Sequence, residues 1–167
     1  VNLSTTMALD KLADRYGTKV IRSAVGEINV VQLMQTLDAP LGGEGNGGVI
    51  LKAAHLGRDS LVGAAMVLNR MAQSDAALST ITATLPQYTI VKDKVNLEGV
   101  NVDLVLKAAQ EEFSDAELNT IDGTKFTWND SWIHLRKSNT EPIMRIYAEA
   151  ESEAKATALV QKVKSLI

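Results

Sequence analysis

The sequence predicts an α/β first domain, a layered sheet with helices, followed by an α+β domain with a mainly antiparallel sheet and two helices. Three observations carry this. Helical and strand-like periodicities alternate from Thr6 to about Met71. Strand-like runs then succeed one another directly between Leu118 and Ala150, with one helical pattern before them and one after. The stretch 73–86, rich in Ala, Ser and Thr and ending at Pro86, separates the two regimes.

The chain opens Val1-Asn2-Leu3 without an initiating Met, which reads as a strand already in progress; a fragment is expected. Behind the capping candidates Ser4, Thr5 and Thr6, the apolar residues Leu9, Leu12, Ala13 and Tyr16 recur at helical spacing until Gly17 supplies a stop. Residues 19–22 are expected as a strand and 29–37 as a second helix. Asp38-Ala39-Pro40 ends that helix, because the residue before proline is pushed out of the α region. A glycine run follows, then a brief apolar strand at 49–51. Asp59 or Ser60 caps a longer helix in which Leu61, Ala64, Ala65, Leu68 and Met71 share a face. The stretch 73–86 is expected to hold a short helix before the break.

In the second region, 88–94 reads as a strand, 101–113 as a helix, and 118–121, 124–128 and 132–136 as three strands. Asn129-Asp130 suits a tight hairpin between the last two, since both residue types tolerate positive φ. Residues 143–150 form a further strand. Ser152 caps a closing helix with Ala156, Leu159, Val160 and Val163 on one side. The expected organisation is a first domain at 1–76, a linker at 77–85 and a second domain at 86–167.

Composition narrows the function classes. With 46% apolar and 22% charged residues in 167, the chain is an ordinary folding sequence, not a disordered one. Lys and Arg number 17 against 20 Asp and Glu, a net charge of −3, so nothing global attracts a nucleic acid and any anion site must be local. The absence of cysteine excludes a disulfide framework, a thiolate zinc site and a cysteine nucleophile. No apolar run approaches the roughly 18 residues of a membrane span, and the N-terminus lacks a signal-peptide profile. No nucleic-acid or membrane partner is expected, and the cytoplasm is the expected location.

Two loops can carry chemistry. The run Gly42-Gly43-Glu44-Gly45-Asn46-Gly47-Gly48 contains G-x-G-x-x-G at Gly43, Gly45 and Gly48. A dinucleotide loop needs a strand before it, a helix after it and an acid about 20 positions on. Here a helix and Pro40 precede, a strand follows and Leu68 stands where the acid belongs; no Lys makes it a Walker loop. What remains is a backbone that a ligand can approach, bearing one carboxylate and one amide. Glu44 repels phosphate but accepts hydrogen bonds from hydroxyls, which favours a polyol or sugar; a plain connecting loop is the alternative.

The second loop is Arg136-Lys137-Ser138-Asn139-Thr140-Glu141-Pro142, with Arg145 on the next strand. Two strand-flanking guanidinium forks, with Ser138, Asn139, Thr140 and the backbone N–H groups of the turn, make a cradle for a phosphate. The alternative is an ordinary hairpin turn whose arginines face water. Elsewhere the readings are structural. His55 and His134 lack a partner at metal spacing and read as half-exposed, Asp122-Gly123 reads as a turn, Asp59 as a cap, and Glu149, Glu151 and Glu153 as a solvated helix start.

Taken together, the segments resemble the C-terminal part of the α-D-phosphohexomutases, the superfamily of phosphoglucomutase, phosphomannomutase and phosphoglucosamine mutase. The likeness covers almost the whole chain, with 1 to about 73 similar to most of the family's third domain and about 86 to 167 similar to its fourth. Gly43-Glu44-Gly45-Asn46-Gly47 resembles the family's sugar-binding loop, G-E-x-[SN]-G. Residues 136–142 with Arg145 resemble its phosphate-binding loop, R-x-S-[GN]-T-E-P-x-x-R. The resemblance implies that Glu44 and Asn46 hold hydroxyls of a sugar ring. It implies that Arg136, Ser138, Asn139, Thr140 and Arg145 hold the phosphate that is not being transferred.

There are departures. Asn46 stands where many members have Ser, Ser60 where many have Gly, and Glu27-Ile28-Asn29 where some have a basic residue, so no role is carried to that stretch. The family's catalytic serine motif and its magnesium loop, D-G-D-x-D-R, belong to its first two domains and do not occur in this sequence. The resemblance therefore implies the distal, substrate-binding half of an isomerase. The intact protein would interconvert hexose 1-phosphate and hexose 6-phosphate through a phosphoserine and a bisphosphorylated intermediate. Mg2+ and a hexose bisphosphate are its implied cofactors, a hexose phosphate its substrate, and the missing N-terminal domains its partners. No catalytic residue or metal ligand is expected in this chain, which alone is expected to be inactive. The Glu-x-Asn-Gly-Gly variant leans toward phosphoglucosamine and related microbial mutases. The competing reading is a stand-alone sugar-phosphate binding module without catalysis.

Overall fold

A computed structural model describes residues 1–138 and 140–167; Asn139, one of the expected phosphate ligands, lies outside the described residues. The chain divides into two units, Val1–Gln87 and Tyr88–Ile167.

In the first unit, α1 (Ala8–Arg15) and α2 (Glu27–Leu37) precede a two-stranded antiparallel hairpin, β1 (Leu41–Gly43) and β2 (Val49–Leu51), and α3 (Ser60–Ser74) and α4 (Leu78–Ala83) follow it. Helix α2 ends where Asp38 turns left-handed, at φ 53°, ahead of Pro40. Its residues Val30 and Met34 pack with Ile50 of β2 as the centre of the unit. A Cβ on Gly42 would overlap the Met34 sulfur, so glycine there lets the helix lie directly on the hairpin. Helix α3 is capped by Asp59, whose carboxylate accepts from the N–H groups of Leu61 and Val62. The segment 77–85 carries α4, which lies in the first unit; the Arg15 guanidinium donates to the Thr84 carbonyl at 3.3 Å.

Two expectations about this unit are corrected. Residues 19–22 form no strand: a single parallel bridge, Asn2 with Ser23, joins the two edges, with Leu3 N–H on the Ser23 carbonyl at 3.0 Å and Ser23 N–H on the Val1 carbonyl at 2.9 Å. Val20 and Ile21 favour extended backbone, but a strand needs a ladder partner. Arg22 instead anchors the segment through the Thr5 carbonyl, at 2.8 Å, and the Asp10 carboxylate. The apolar face expected on α3 exists but is not buried: Leu61 is 80% and Leu68 63% exposed. Periodicity predicted the helix without predicting what covers it. Beside α3 lies an apolar groove of about 760 Å³, lined by Leu9, Leu12, Leu33, Met34, Met66 and Val67 among others.

The second unit is a five-stranded antiparallel sheet in the order β3-β7-β6-β5-β4. Its strands are β3 (Thr89–Asn96), β4 (Glu117–Asn119), β5 (Thr124–Thr127), β6 (Ser131–Lys137) and β7 (Ile143–Ala150); its helices are α5 (Val102–Glu112) and α6 (Glu153–Lys164). Asn101 and Ser152 cap the two helices with their side-chain oxygens. Strand alternation sends Phe126, Ile133, Leu135, Met144, Ile146 and Ala148 to one face, where Val105 and Ala109 of α5 and Val160 and Val163 of α6 complete the core. The other face carries Lys125, Trp132, His134, Arg136, Arg145, Tyr147, Glu149, Lys92 and Lys94.

That second face overturns two readings. Glu149 is no solvated helix-start residue. It is 0% exposed, still within β7, and its Oε2 accepts from the Trp132 indole N–H at 2.6 Å. The ammonium of buried Lys125 lies 4.4 Å from the Trp132 ring centroid. His134 is buried rather than half-exposed, and its Nε2–H donates to the Asp122 carbonyl at 2.6 Å. Burial pushes its pKa below the ordinary 6.5. The β5–β6 hairpin closes at Asn129-Asp130, with Trp128 N–H on the Ser131 carbonyl at 2.9 Å, but neither turn residue adopts a positive φ.

Candidate functional site

The glycine run is the loop of the β1–β2 hairpin, so a short strand, not only a helix and Pro40, leads into it. The loop closes on itself. Glu44 N–H donates to the Gly48 carbonyl at 3.0 Å, Gly47 N–H to the Glu44 carbonyl at 3.1 Å, and Gly48 N–H to Asn46 Oδ1 at 3.0 Å. Gly47 sits at φ +93°, which side chains rarely adopt, while a Cβ on Gly45 would lie 2.6 Å from the Ser4 carbonyl oxygen. The glycines thus bring the loop against the rest of its own unit.

Glu44 is 8% exposed, and both its carboxylate oxygens are engaged. Oε1 accepts from the Asn2 amide at 3.0 Å, and Oε2 lies 3.1 Å from Arg58 Nη1. Asn2 is fixed in turn, its Oδ1 accepting from Ser4 N–H and the Thr5 hydroxyl. Arg58 is fixed by Glu27: its Nε donates to Glu27 Oε2 at 2.9 Å and its backbone N–H to Oε1 at 2.8 Å. That backbone bond, with the guanidinium, holds the Glu27 carboxyl below its ordinary pKa. A chain of opposite charges therefore runs Glu27, Arg58, Glu44, ending on a neutral amide. Each carboxylate oxygen has more than one lone pair, so Glu44 can still accept from hydroxyls. Asn46 is exposed; its oxygen serves Gly48 and its NH2 is the donor the loop offers outward. Close by, the His55 ring bonds Asp59 at 3.0 Å, and this bond leads the groups that hold the Asp59 carboxyl below its ordinary pKa.

The second loop closes the β6–β7 hairpin. Ser138 N–H donates to the Ile143 carbonyl at 2.9 Å, and the Ser138 and Thr140 hydroxyls lie 3.4 Å apart. Arg136 on β6 is directly opposite Arg145 on β7. Arg136 Nε donates to Asp122 Oδ1 at 2.9 Å, which orients the guanidinium and leaves its other donors available. Arg145 is exposed. The hairpin thus gathers Arg136, Ser138, Thr140 and Arg145 at one end of the sheet.

Two residues with positioning roles escaped the sequence reading. Arg58 stands next to the Asp59 cap with no pattern of its own, and Asp122 reads only as half of a turn. Gly123, at φ +70°, leaves no room for a Cβ against the Leu135 carbonyl oxygen, and so brings Asp122 beside Arg136. A glycine immediately after an acid, ahead of a strand that pairs with the arginine strand, was the available signal.

No group of three or more His, Asp or Glu among the described residues converges as a metal-ligand set. Magnesium, implied by the resemblance for the intact protein, therefore has no fitting donor set in these residues and enters no step assigned to them. No helix among the described residues is long and apolar enough to cross a membrane.

Residues 1–88 match the family description "Phosphoglucomutase/phosphomannomutase, alpha/beta/alpha domain III", and residues 91–166 match "Phosphoglucomutase/phosphomannomutase, C-terminal domain". A phosphoglucomutase/phosphomannomutase of Thermococcus kodakarensis is 39% identical over 92% of this chain and 34% of its own length. A phosphoglucosamine/phosphogalactosamine mutase of Sulfurisphaera tokodaii is 32% identical over 99% of this chain and 37% of its own. The crystal structure of a phosphoglucomutase/phosphomannomutase family protein from Burkholderia thailandensis superposes with a TM-score of 0.78 at 28% identity, covering 96% of this chain and 35% of that one. The chain spans about a third of the length of the relatives it matches.

Proposed function

The chain belongs to the phosphoglucomutase/phosphomannomutase family, and from that premise we propose that it is the substrate-holding part of a phosphohexomutase that interconverts hexose 1-phosphate and hexose 6-phosphate. The observation that carries the reading is the charge around each loop. At the β6–β7 hairpin, Arg136 and Arg145 face each other with Asp122 as the acid bonded to the row, an arrangement short of negative charge and suited to a phosphate dianion. Ser138 and Thr140 add neutral donors, and Asn139 is assigned the same role from its place in the motif.

At the β1–β2 hairpin, Glu44 already has its counter-charge in Arg58, so it accepts from neutral ring hydroxyls at little electrostatic cost, and Asn46 donates to them. This division suits a ligand whose anionic and hydroxyl parts need separate recognition. Holding the phosphate that is not being transferred fixes the substrate while the transfer chemistry, supplied by the parts implied outside this chain, takes place. The relatives are named for glucosamine and galactosamine phosphates as well as glucose and mannose phosphates, and an aminohexose phosphate fits an acceptor such as Glu44.

The test is titration of the chain with glucose 1-phosphate, glucosamine 1-phosphate and unphosphorylated methyl glucoside, read by amide chemical shifts. Phosphate-dependent shifts at 136–145 that spare 43–48, and that are lost in Arg136→Ala, support the reading; sugar phosphates that leave the amides of 136–145 unmoved overturn it. The chain alone, given glucose 1-phosphate, Mg2+ and glucose 1,6-bisphosphate, is expected to form no glucose 6-phosphate.

A further inference from the structure

The sheet register brings a third cation beside the two arginines. Lys94 on β3 is directly opposite Arg145 on β7, which is directly opposite Arg136 on β6. Residues paired in this way lie on one face of the sheet, about 4.5–5.5 Å apart at each step. Three neighbouring strands therefore present Lys94, Arg145 and Arg136 as a single row at the end of the sheet where the phosphate-loop motif closes.

Like charges placed directly opposite one another are destabilising, and the row contains two such juxtapositions in succession. Its counter-charges are few. Arg136 is bonded to Asp122, whereas Lys94 and Arg145 are exposed and make no ion pair among the described residues. The nearest acid in sequence, Asp93, points to the opposite face and is taken by Lys164 at 3.0 Å. Glu98, beyond the strand end, caps back onto Asn96. Lys92, one row further in, lies with its ammonium 5.4 Å from the Tyr147 ring centroid, so it is directed along the sheet rather than into the row. Within the row, three cations and one carboxylate leave a surplus of two positive charges, the complement of a phosphate monoester dianion; Glu141 of the loop is exposed and makes no ion pair with any of the three among the described residues.

We propose that Lys94 is a third phosphate-binding cation, acting with Arg136 and Arg145 on the same dianion. The proposal rests on the phosphate reading of the β6–β7 loop and adds to it a residue from a strand 42 positions before Arg136. The arginines supply directed, planar forks; the lysine supplies a mobile point charge that adds attraction without fixing orientation. An anion bound to the row also screens the cations from one another, so relief of repulsion adds to direct attraction.

The experiment uses the full chain and inorganic phosphate at about pH 8, where the dianion dominates, with affinity read from amide shifts at several salt concentrations. Lys94→Gln is expected to bind phosphate about three- to tenfold more weakly, with a shallower salt dependence. Lys94→Arg stays within about twofold of the parent, and Lys107→Gln, which removes the same charge from α5, changes nothing. The melting temperature of Lys94→Gln without phosphate is expected to equal or exceed that of the parent, because one repulsive pair is gone. If Lys94→Gln binds like the parent with the same salt dependence while Arg136→Ala loses binding, Lys94 is not a ligand and the loop reading survives. If the parent chain itself shows no phosphate-dependent shift at the hairpin, the loop reading falls and the inference with it.

Discussion

Glu44 in the β1–β2 hairpin and Arg136 in the β6–β7 hairpin each stand at the mouth of a two-stranded turn, and each is bonded to a group of opposite charge. Their surroundings differ. Glu44 is almost fully buried between Arg58 and Asn2, and Arg58 is shared with a second carboxylate, Glu27, so this loop carries no positive surplus. Arg136 has one carboxylate, while its cross-strand neighbours Arg145 and Lys94 have none among the described residues. One loop has paired each of its charges, two carboxylates on one guanidinium, before any ligand arrives; the other has not. A paired acid is preorganised for hydroxyls, whereas a row with two unpaired cations suits an anion.

That contrast can be broken at several points, the largest first. Arg136→Ala removes a charge-assisted fork and is expected to weaken hexose phosphate binding by about 10- to 100-fold, the equivalent of roughly 1.5–3 kcal/mol, without affecting an unphosphorylated glycoside. Titration calorimetry with the two ligands checks this. Arg58→Ala should do the reverse. It leaves Glu44 buried without its cation and is expected to cost about 1–2 kcal/mol of stability in urea unfolding, a figure already reduced because the Arg58 side chain is 42% exposed. Phosphate affinity at the other hairpin should not change, and Arg58→Lys should recover part of the loss.

Salt separates the loops more gently. Raising ionic strength should weaken phosphate binding several-fold while leaving glycoside binding flat, because screening acts on the surplus charge and not on a neutral hydroxyl. A glycoside affinity that fell in parallel would contradict the division of labour.

The smallest effect is one of pH. His134, two residues before Arg136 on β6, has its pKa lowered by burial from 6.5, so between that value and its folded value the unfolded chain binds a proton that the native chain does not. Stability is therefore full above pH 6.5 and falls as the pH drops below it. The depressed Glu27, Asp59 and Asp93 carboxyls add a further loss only nearer their own, lower range. In His134→Gln the decline beginning near 6.5 should disappear from a series of urea melts, leaving the acid limb.

Much of the second unit was legible because its strands are long enough to show alternation and its helices carry Asn101 and Ser152 as caps. What local pattern could not show was a sheet whose second face is buried in part: Glu149 looked like helix-start charge and His134 like a surface residue, yet both are buried on the same sheet face as Trp132. In the first unit the glycine motif was legible, but its supports were not. Asn2 and Arg58 reach Glu44 from 42 residues before and 14 residues after it, separations that no periodicity records. Residues 19–22 had strand composition without a ladder partner, and α3 had an apolar stripe without a cover. Lys94 was hidden for a related reason. Its place beside Arg145 is a matter of register, and register appears only once β3 is paired with β7.

The most direct test of the charge account is a map of amide shifts across the whole chain during two titrations, one with inorganic phosphate and one with methyl glucoside. The account predicts that phosphate moves the amides of 94 and 136–145 and leaves 43–48 still, while the glycoside moves 43–48 alone. Phosphate shifts centred on the Glu44 loop, or no shifts around Arg136 at saturating phosphate, would contradict it.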